Sequence, residues 1–138
     1  MEKNAVISVK SFSDLDKDEI IEVVTPGKFL VKGDEFHAIY EESEISGMEG
    51  TTTTLKIKNN SMVLERTGSI DTTMEFEAGK LAISLYNTPY GMLDLNVDTK
   101  VLDIDMDENG GVVYAKYVLG LTGQEGITTE LKVKIKVN

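Results

Sequence analysis

The sequence alternates between apolar and polar residues with a period of two, and this pattern constrains the fold more than any other feature. The run from residue 127 to residue 137 shows it best, because odd positions carry Ile, Thr, Leu or Val while even positions carry Thr, Glu or Lys. Successive side chains of a β-strand point to opposite faces, so this run predicts a strand with one face on a core. The same period recurs in residues 51–58, 72–78 and 93–98. The chain is therefore predicted to be all-β.

The phase of the alternation slips once within a long apolar segment. Apolar residues stand at odd positions from 93 to 97 and at even positions from 102 to 106. A slip of one residue within a strand is what a β-bulge produces, so we predict a bulge near Thr99 to Val101. Bulges are common where sheets curl into barrels.

Residue pairs that favour turns separate the alternating runs at short intervals. Pro26-Gly27 fits a type II turn, and four further pairs fit hairpin turns, namely Gly33-Asp34, Asn59-Asn60, Gly79-Lys80 and Asn109-Gly110. Short connections favour a meander, and closing a meander removes its exposed edges. We predict an antiparallel, up-and-down closed β-barrel of about eight to ten strands, formed as a single domain by residues 1–138. The segment Glu41–Gly50 breaks the pattern and is interpreted as a short helical turn or loop.

Charge and composition exclude several function classes. The formal net charge is −10, which disfavours nucleic acid and anionic membrane surfaces as partners. The chain has no cysteine, so it has no disulfide and no thiolate for metal binding or catalysis. The amino-terminal residues do not resemble a signal peptide, and no apolar stretch approaches the roughly 20 residues that span a bilayer. These features predict a cytoplasmic protein.

Two acidic runs resemble the start of a calcium-binding loop. They begin at Asp103 and at Asp14, with Asp at every second position. An EF-hand loop needs Gly at its sixth position, where these runs carry Glu108 and Glu19. We interpret both runs as solvated strand faces and predict no metal site.

The single histidine, His37, limits the catalytic chemistry available to the chain. With one histidine and no cysteine, a conventional zinc centre has too few ligands. No Gly-x-Ser-x-Gly motif is present to supply a nucleophile. We interpret His37 as structural, assign no catalytic residue and predict no cofactor.

Polar residues on the predicted inward face are the candidates for a functional site. If Tyr40 points into the barrel, the alternation points Glu42 inward too, and Arg66 shares its phase with Leu64. A buried carboxylate and guanidinium are tolerated when they are paired and hydrogen-bonded. Such a pair is either a structural plug or the polar anchor of a ligand site, and the sequence leaves both open. The candidate ligand-binding residues are Tyr40, Glu42, Arg66, Tyr86, Thr88 and Tyr90, and the candidate cavity-lining residues are Met62, Leu64, Met74, Phe76 and Leu85.

Several short stretches, taken together, resemble one family of bacterial proteins. They are Tyr40-Glu41-Glu42-Ser43, Gly47 through Thr54, Arg66-Thr67-Gly68, Met74-Glu75-Phe76 and Tyr86-Asn87-Thr88-Pro89-Tyr90-Gly91, followed by Thr99, Gly111 and Tyr117. The chain resembles the YwiB-like family, whose fold is a lipocalin-like, or calycin-like, barrel. The resemblance implies a barrel of about eight main strands around a central cavity. It implies no particular activity.

Three hypotheses of function follow. The first is a non-enzymatic barrel that binds a small molecule in its cavity, with the polar residues above as contacts. The second is a protein–protein interaction or self-assembly module, which predicts a contiguous exposed apolar patch. The third is an enzyme in which Glu42 acts as a base and Arg66 stabilises charge, which requires the two side chains to sit together in a cleft.

Overall fold

The computed structural model describes residues 2–13, 16–42, 49–68, 71–88, 91–121 and 126–138, with the backbone alone at 16–19, 21, 84–88, 93 and 121. These residues form ten strands: β1 (Glu2–Ser13), β2 (Asp16–Lys32), β3 (Glu35–Glu41), β4 (Thr51–Ile57), β5 (Met62–Gly68), β6 (Asp71–Phe76), β7 (Leu81–Thr88), β8 (Gly91–Asp107), β9 (Gly110–Leu121) and β10 (Ile127–Val137). This part of the chain contains no helix long and apolar enough to cross a membrane.

The strands form a closed antiparallel barrel in which each strand pairs with its neighbours in sequence. The last strand, β10, returns to pair with β1, in a register that runs from Ala5 opposite Val137 to Ser13 opposite Thr129. The predicted up-and-down closed barrel is confirmed, and ten strands is the upper limit of the predicted number.

The period-two pattern of the sequence sets which side chains fill the barrel. Along β4, residues 51, 53, 55 and 57 are buried and the residues between them are more exposed. Along β10, Leu131, Val133 and Ile135 are buried while the intervening lysines face outward. The inward faces therefore form one apolar core, as the alternation predicts.

The predicted bulge is present in β8. The register between β8 and β9 shifts between Thr99 and Val101. Before the shift Val97 and Thr99 are buried, whereas after it Leu102 and Ile104 pack against the core and Val101 is exposed. The extra residue thus keeps apolar side chains inside along a strand of 17 residues.

The predicted turn at Pro26-Gly27 is wrong, because both residues lie inside β2 and pair with β1. A Cβ on Gly27 would lie 2.5 Å from Ile7 Cδ1 and 2.6 Å from the Ile39 carbonyl oxygen, so the glycine allows strands to approach closely rather than turn. Pro26 lies beyond Lys28, where the pairing of β2 with β3 ends. A strand tolerates a residue without an amide donor at such a place.

The other predicted turns fall between strands. Gly33 connects β2 to β3 with a φ of 60°, and Gly79 connects β6 to β7 with a φ of 79°. The pairs at 59–60 and 109–110 fall at the β4–β5 and β8–β9 connections. The predicted irregular segment Glu41–Gly50 includes residues 43–48, which lie outside the described residues.

The two ends of the barrel differ in how they are filled. We call the end that carries the β2–β3, β4–β5, β6–β7 and β8–β9 connections the lower end, and the opposite end the upper end. Large side chains fill the lower half, where the Phe29 and Phe36 rings stack with centroids 6.0 Å apart. Ile57, Met62 and Phe76 are fully buried beside them. Packing this dense fills the lower interior of the barrel. Enclosed space remains towards the upper end, and a second depression opens on the wall between β6 and β7.

The wall of the barrel is weakest between β6 and β7. Only two pairs join these strands, Asp71 with Asn87 and Thr72 with Tyr86, although each strand has at least six residues. Below these pairs the strands diverge, and Leu81 and Ile83 of β7 are 62% and 67% exposed. We call this stretch the β6–β7 seam.

Candidate functional site

The strand register places polar residues in one row across five strands. Tyr40 of β3 is opposite Thr53 of β4, which is opposite Arg66 of β5. Arg66 is in turn opposite Thr72 of β6, and the backbone of Thr72 pairs with that of Tyr86 on β7. Residues directly opposite each other on antiparallel strands project to the same face. The row therefore brings Tyr40, Thr53, Arg66 and Thr72 together on the inner face, although they are far apart in sequence.

A cavity of about 190 Å³ lies beside this row in the upper half of the barrel. Its lining is mostly apolar, with one carboxylate, one guanidinium and two phenols. The lining residues are Val9, Ser11, Val23, Tyr40, Glu42, Leu64, Arg66, Met74, Tyr117, Leu119 and Leu131. An apolar enclosure with a few convergent polar groups is the usual composition of a small-molecule site.

Glu42 is the buried acid of the cavity, and hydroxyl groups satisfy it. The side chain is 7% exposed, and Thr53 donates a hydrogen bond from Oγ1 to Oε1 at 3.1 Å. Tyr40 also hydrogen-bonds Glu42. Burial and then the negative charge of Glu42 raise the pKa of Tyr40 above its ordinary value, so its hydroxyl keeps its proton and remains a donor.

Arg66 is the cation of the cavity, and it is less well satisfied than Glu42. Its Nε atom is buried and has no hydrogen-bond partner. Among the described side chains, the ion pairs within 4.0 Å involve lysine or histidine, and none involves Arg66. Thr72, opposite Arg66 in the register, is also buried with an unpartnered Oγ1. Two neighbouring donors on this wall therefore lack an acceptor.

Tyr117 closes the cavity from the opposite side of the barrel. Its ring meets Phe76 edge to face, with centroids 4.9 Å apart. Burial raises the pKa of Tyr117 to about 12, and the positive charge of Arg66 partly opposes the shift. The cavity thus contains two phenols that are neutral across the physiological pH range.

The structure distributes the predicted site residues among three environments. Tyr40, Glu42 and Arg66 line the cavity, together with Leu64 and Met74. Met62 and Phe76, predicted as lining, are buried in the lower core and line the depression at the β6–β7 seam rather than the upper cavity. Alternation identifies the inward face and not the height along the barrel. The side chains of Leu85, Tyr86 and Thr88, and Tyr90 as a whole, lie outside the described residues.

Sequence reasoning missed more than half of the lining. The missed residues are Val9, Ser11, Val23, Tyr117, Leu119 and Leu131. They come from β1, β2, β9 and β10. Of these strands only β2 is next to a strand of the polar row, and the other three face the row across the closed barrel. The signal available in the sequence was Tyr117 itself, which is an inward-phase tyrosine on a strand that otherwise buries small residues such as Val113 and Ala115.

The described residues offer little for metal or nucleophilic chemistry. They contain no group of three or more His, Asp or Glu side chains placed to hold a metal ion. His37 is buried, with Nε2 at 3.8 Å from Glu35, and it is not part of the cavity lining. Asp103, Asp105 and Asp107 lie on the exposed face of β8. Glu42 and Arg66 line one cavity, and no ion pair of 4.0 Å or less joins them. An enzyme that uses Glu42 as a base and Arg66 to stabilise charge stays a prediction.

Comparison with known proteins gives a consistent picture. Residues 7–134 match the family model described as "Domain of unknown function (DUF1934)". The chain is 28% identical over 113 residues to the "Uncharacterized beta-barrel protein YwiB" of Bacillus subtilis, covering 80% of this chain and 78% of that protein. The crystal structure of the ywiB protein superimposes with a TM-score of 0.81 and 22% identity, over 99% of this chain and 93% of that one. The resemblance seen in the sequence and the barrel fold are both confirmed.

Proposed function

The chain belongs to the DUF1934 family, and we propose that it is a small-molecule-binding barrel whose ligand occupies the upper cavity. One observation carries the proposal: Glu42 and Arg66 both line the cavity without forming an ion pair with each other. A structural plug would pair these opposite charges, because a buried charge is costly unless it is paired. Their separation leaves polar groups available to a ligand.

The surroundings of the cavity support binding rather than an accidental packing defect. Defects in protein cores are usually apolar and stay dry. This cavity contains five polar side chains with hydrogen-bonding capacity, set among apolar residues that would exclude water from a bound molecule. Such a combination gives orientation through the polar groups and affinity through the apolar ones.

Native mass spectrometry of the protein purified from its own host tests the proposal. We expect a reproducible added mass on the wild-type protein, identified after release under denaturing conditions. The Arg66→Ala variant should lose this mass while its circular dichroism stays unchanged. Lys132→Ala removes a positive charge from the exposed face of β10 and is the matched control that should keep the mass. Retention of the mass by Arg66→Ala would place the ligand elsewhere and refute the assignment.

Filling the cavity provides an independent test. Leu64 lines the cavity and is 4% exposed, so Leu64→Phe would add volume into the open space. We expect this variant to fold with little loss of stability, since the added ring enters an existing cavity rather than a packed core. It should also lose the bound mass. A large loss of stability would mean that the space is not available.

Self-association is a second candidate function, and the β6–β7 seam favours it. Leu81 and Ile83 form a small apolar surface on β7, and the two strands pair at only two positions. Unpaired strand edges are sites where another chain can add hydrogen bonds. A second copy of this chain is the partner we would test, by sedimentation velocity of the wild type and of Ile83→Lys. A wild-type monomer at high concentration would refute this candidate.

A cytoplasmic location is part of the same proposal. It rests on the acidic composition and on the lack of cysteine, which suits a reducing compartment. Fractionation of the native host with an antibody against the protein would test it.

A further inference from the structure

The two charged side chains of the cavity differ in their hydrogen bonding, and this difference indicates the kind of ligand that fits. Glu42 accepts a hydrogen bond from Thr53 and interacts with the Tyr40 hydroxyl. A carboxylate with hydroxyl donors of this kind needs no cation to remain buried. Groups of the protein itself therefore satisfy the hydrogen bonding of the Glu42 carboxylate.

Arg66, the cation of the cavity, is not satisfied by the protein in this way. Arg66 is partly buried, its Nε atom has no hydrogen-bond partner, and the described carboxylates all lie beyond ion-pair distance. A guanidinium presents donors in a planar fork that matches a carboxylate with two parallel hydrogen bonds. What the wall lacks at this point is an anionic acceptor.

Size and charge limit the acceptor further. A cavity of about 190 Å³ has the liquid volume of roughly six water molecules, so it holds a compact molecule rather than a long lipid. Leu64 lines the cavity two residues before Arg66 on β5, and Met74 lies opposite Leu64 on β6, so both would contact an apolar body. Glu42 already contributes one negative charge, which disfavours a dianion such as a phosphate monoester.

We infer, on the basis of the proposed function, that the ligand class is a small monocarboxylate with a compact apolar body, whose carboxylate is bound by Arg66. The apolar body lies against the Leu64 and Met74 side of the cavity. The protein would then distinguish an organic acid from its neutral and cationic analogues by the charge of one group.

Isothermal titration calorimetry with three matched probes tests the inference at neutral pH. The probes are hexanoate, hexanamide and hexylamine, which share an apolar chain and differ in the polar group. A charge-assisted hydrogen bond of the usual strength corresponds to about ten- to a hundredfold in affinity. We therefore expect hexanoate to bind at least about tenfold more tightly than hexanamide, and hexylamine to bind most weakly.

Two variants keep the test interpretable. Arg66→Gln retains the length and hydrogen-bonding capacity of the side chain but removes its charge, and it should reduce the affinity for hexanoate to that for hexanamide. Thr72→Val keeps the shape of a residue that lies opposite Arg66 in the register but does not line the cavity, so it should change neither affinity. Lys132→Gln on the outer face is the control and should change neither affinity.

The outcomes separate the inference from the function on which it rests. Equal binding of hexanoate and hexanamide, or tighter binding of hexylamine, would overturn the carboxylate inference and leave a ligand-binding cavity. If none of the three probes binds at millimolar concentration, while Leu64→Phe is as stable as the wild type, the carboxylate inference fails. The proposed function then falls as well if the native protein carries no added mass.

Discussion

Two threonines on β4 have the same environment but different hydrogen bonding, and they allow a sharp prediction about stability. Thr51 and Thr53 both point into the barrel and are 1% and 0% exposed. Thr53 donates a hydrogen bond to the Glu42 carboxylate at 3.1 Å, whereas the Thr51 hydroxyl has no partner. Replacing either with valine keeps the β-branched shape and removes only the hydroxyl.

The structure gives a different magnitude for each replacement. A hydrogen bond to a charged group contributes about 1.5–3 kcal/mol, and removing the donor leaves the buried carboxylate with one partner fewer. Thr53→Val should therefore lower the free energy of unfolding by about 1.5–3 kcal/mol. Thr51→Val removes a buried hydroxyl that makes no hydrogen bond, so it should change stability by less than about 0.5 kcal/mol or increase it.

Urea denaturation followed by circular dichroism measures both effects on the same scale. We expect equal slopes for the wild type and both variants, since neither change alters the surface exposed on unfolding. The Glu42→Gln background supplies a further check, because Thr53→Val should cost less there than in the wild type. Equal losses for the two valine variants would refute the assignment of Thr53 as the partner that keeps Glu42 buried.

Three further predictions concern the backbone, the surface and the alkaline limit. Gly111→Ala should lower the free energy of unfolding by at least about 2 kcal/mol in urea denaturation, because the φ of Gly111 is 152° and a Cβ would lie 2.0 Å from the Asp105 carbonyl oxygen. Gly33→Ala should lower it by about 1 kcal/mol, because Gly33 has a φ of 60° but open space around it. Leu81→Lys should change stability by less than about 0.5 kcal/mol, because the side chain is 62% exposed. Burial raises the pKa of Tyr117 from 10.0 to about 12, so the unfolded chain loses this proton first and this phenol should lower stability from pH 10 upwards by up to about 1.4 kcal/mol per pH unit. Tyr40, whose pKa is also raised by burial, should add a fall of the same sign. Denaturation between pH 9 and 12 that shows no such fall would contradict the burial of these phenols.

The period-two pattern predicted the barrel because each strand has one face towards solvent and one towards the core. Burial along β4 and β10 follows the alternation residue by residue, and the phase slip near Thr99 marks the bulge. The turn predicted at Pro26-Gly27 is wrong for a physical reason. A glycine is needed both in turns and where another strand comes close, and the sequence does not distinguish the two requirements.

The candidate site was predictable only in part, since alternation says which face a residue is on and not how far along the barrel it lies. Arg66 and Tyr40 were found because polar residues stand out on an inward face. Phe76 has the same phase as Met74 but is nearer the lower end, where the core is packed. Tyr117 belongs to a strand on the other side of the barrel, and only the closure of the sheet brings it to Arg66.

The pairing of β1 with β10 affects how the protein can be made. The partners in this ladder, such as Ala5 and Val137, are separated by almost the whole chain. Contacts between distant segments form only after the chain has lost the entropy of closing a long loop, so they slow folding. During synthesis the amino-terminal strands can form their hairpins early, but the edge of β1 stays unpaired until β10 has left the ribosome. An arrest of translation before that point would expose an aggregation-prone edge, so the nascent barrel needs a chaperone most until β10 has emerged.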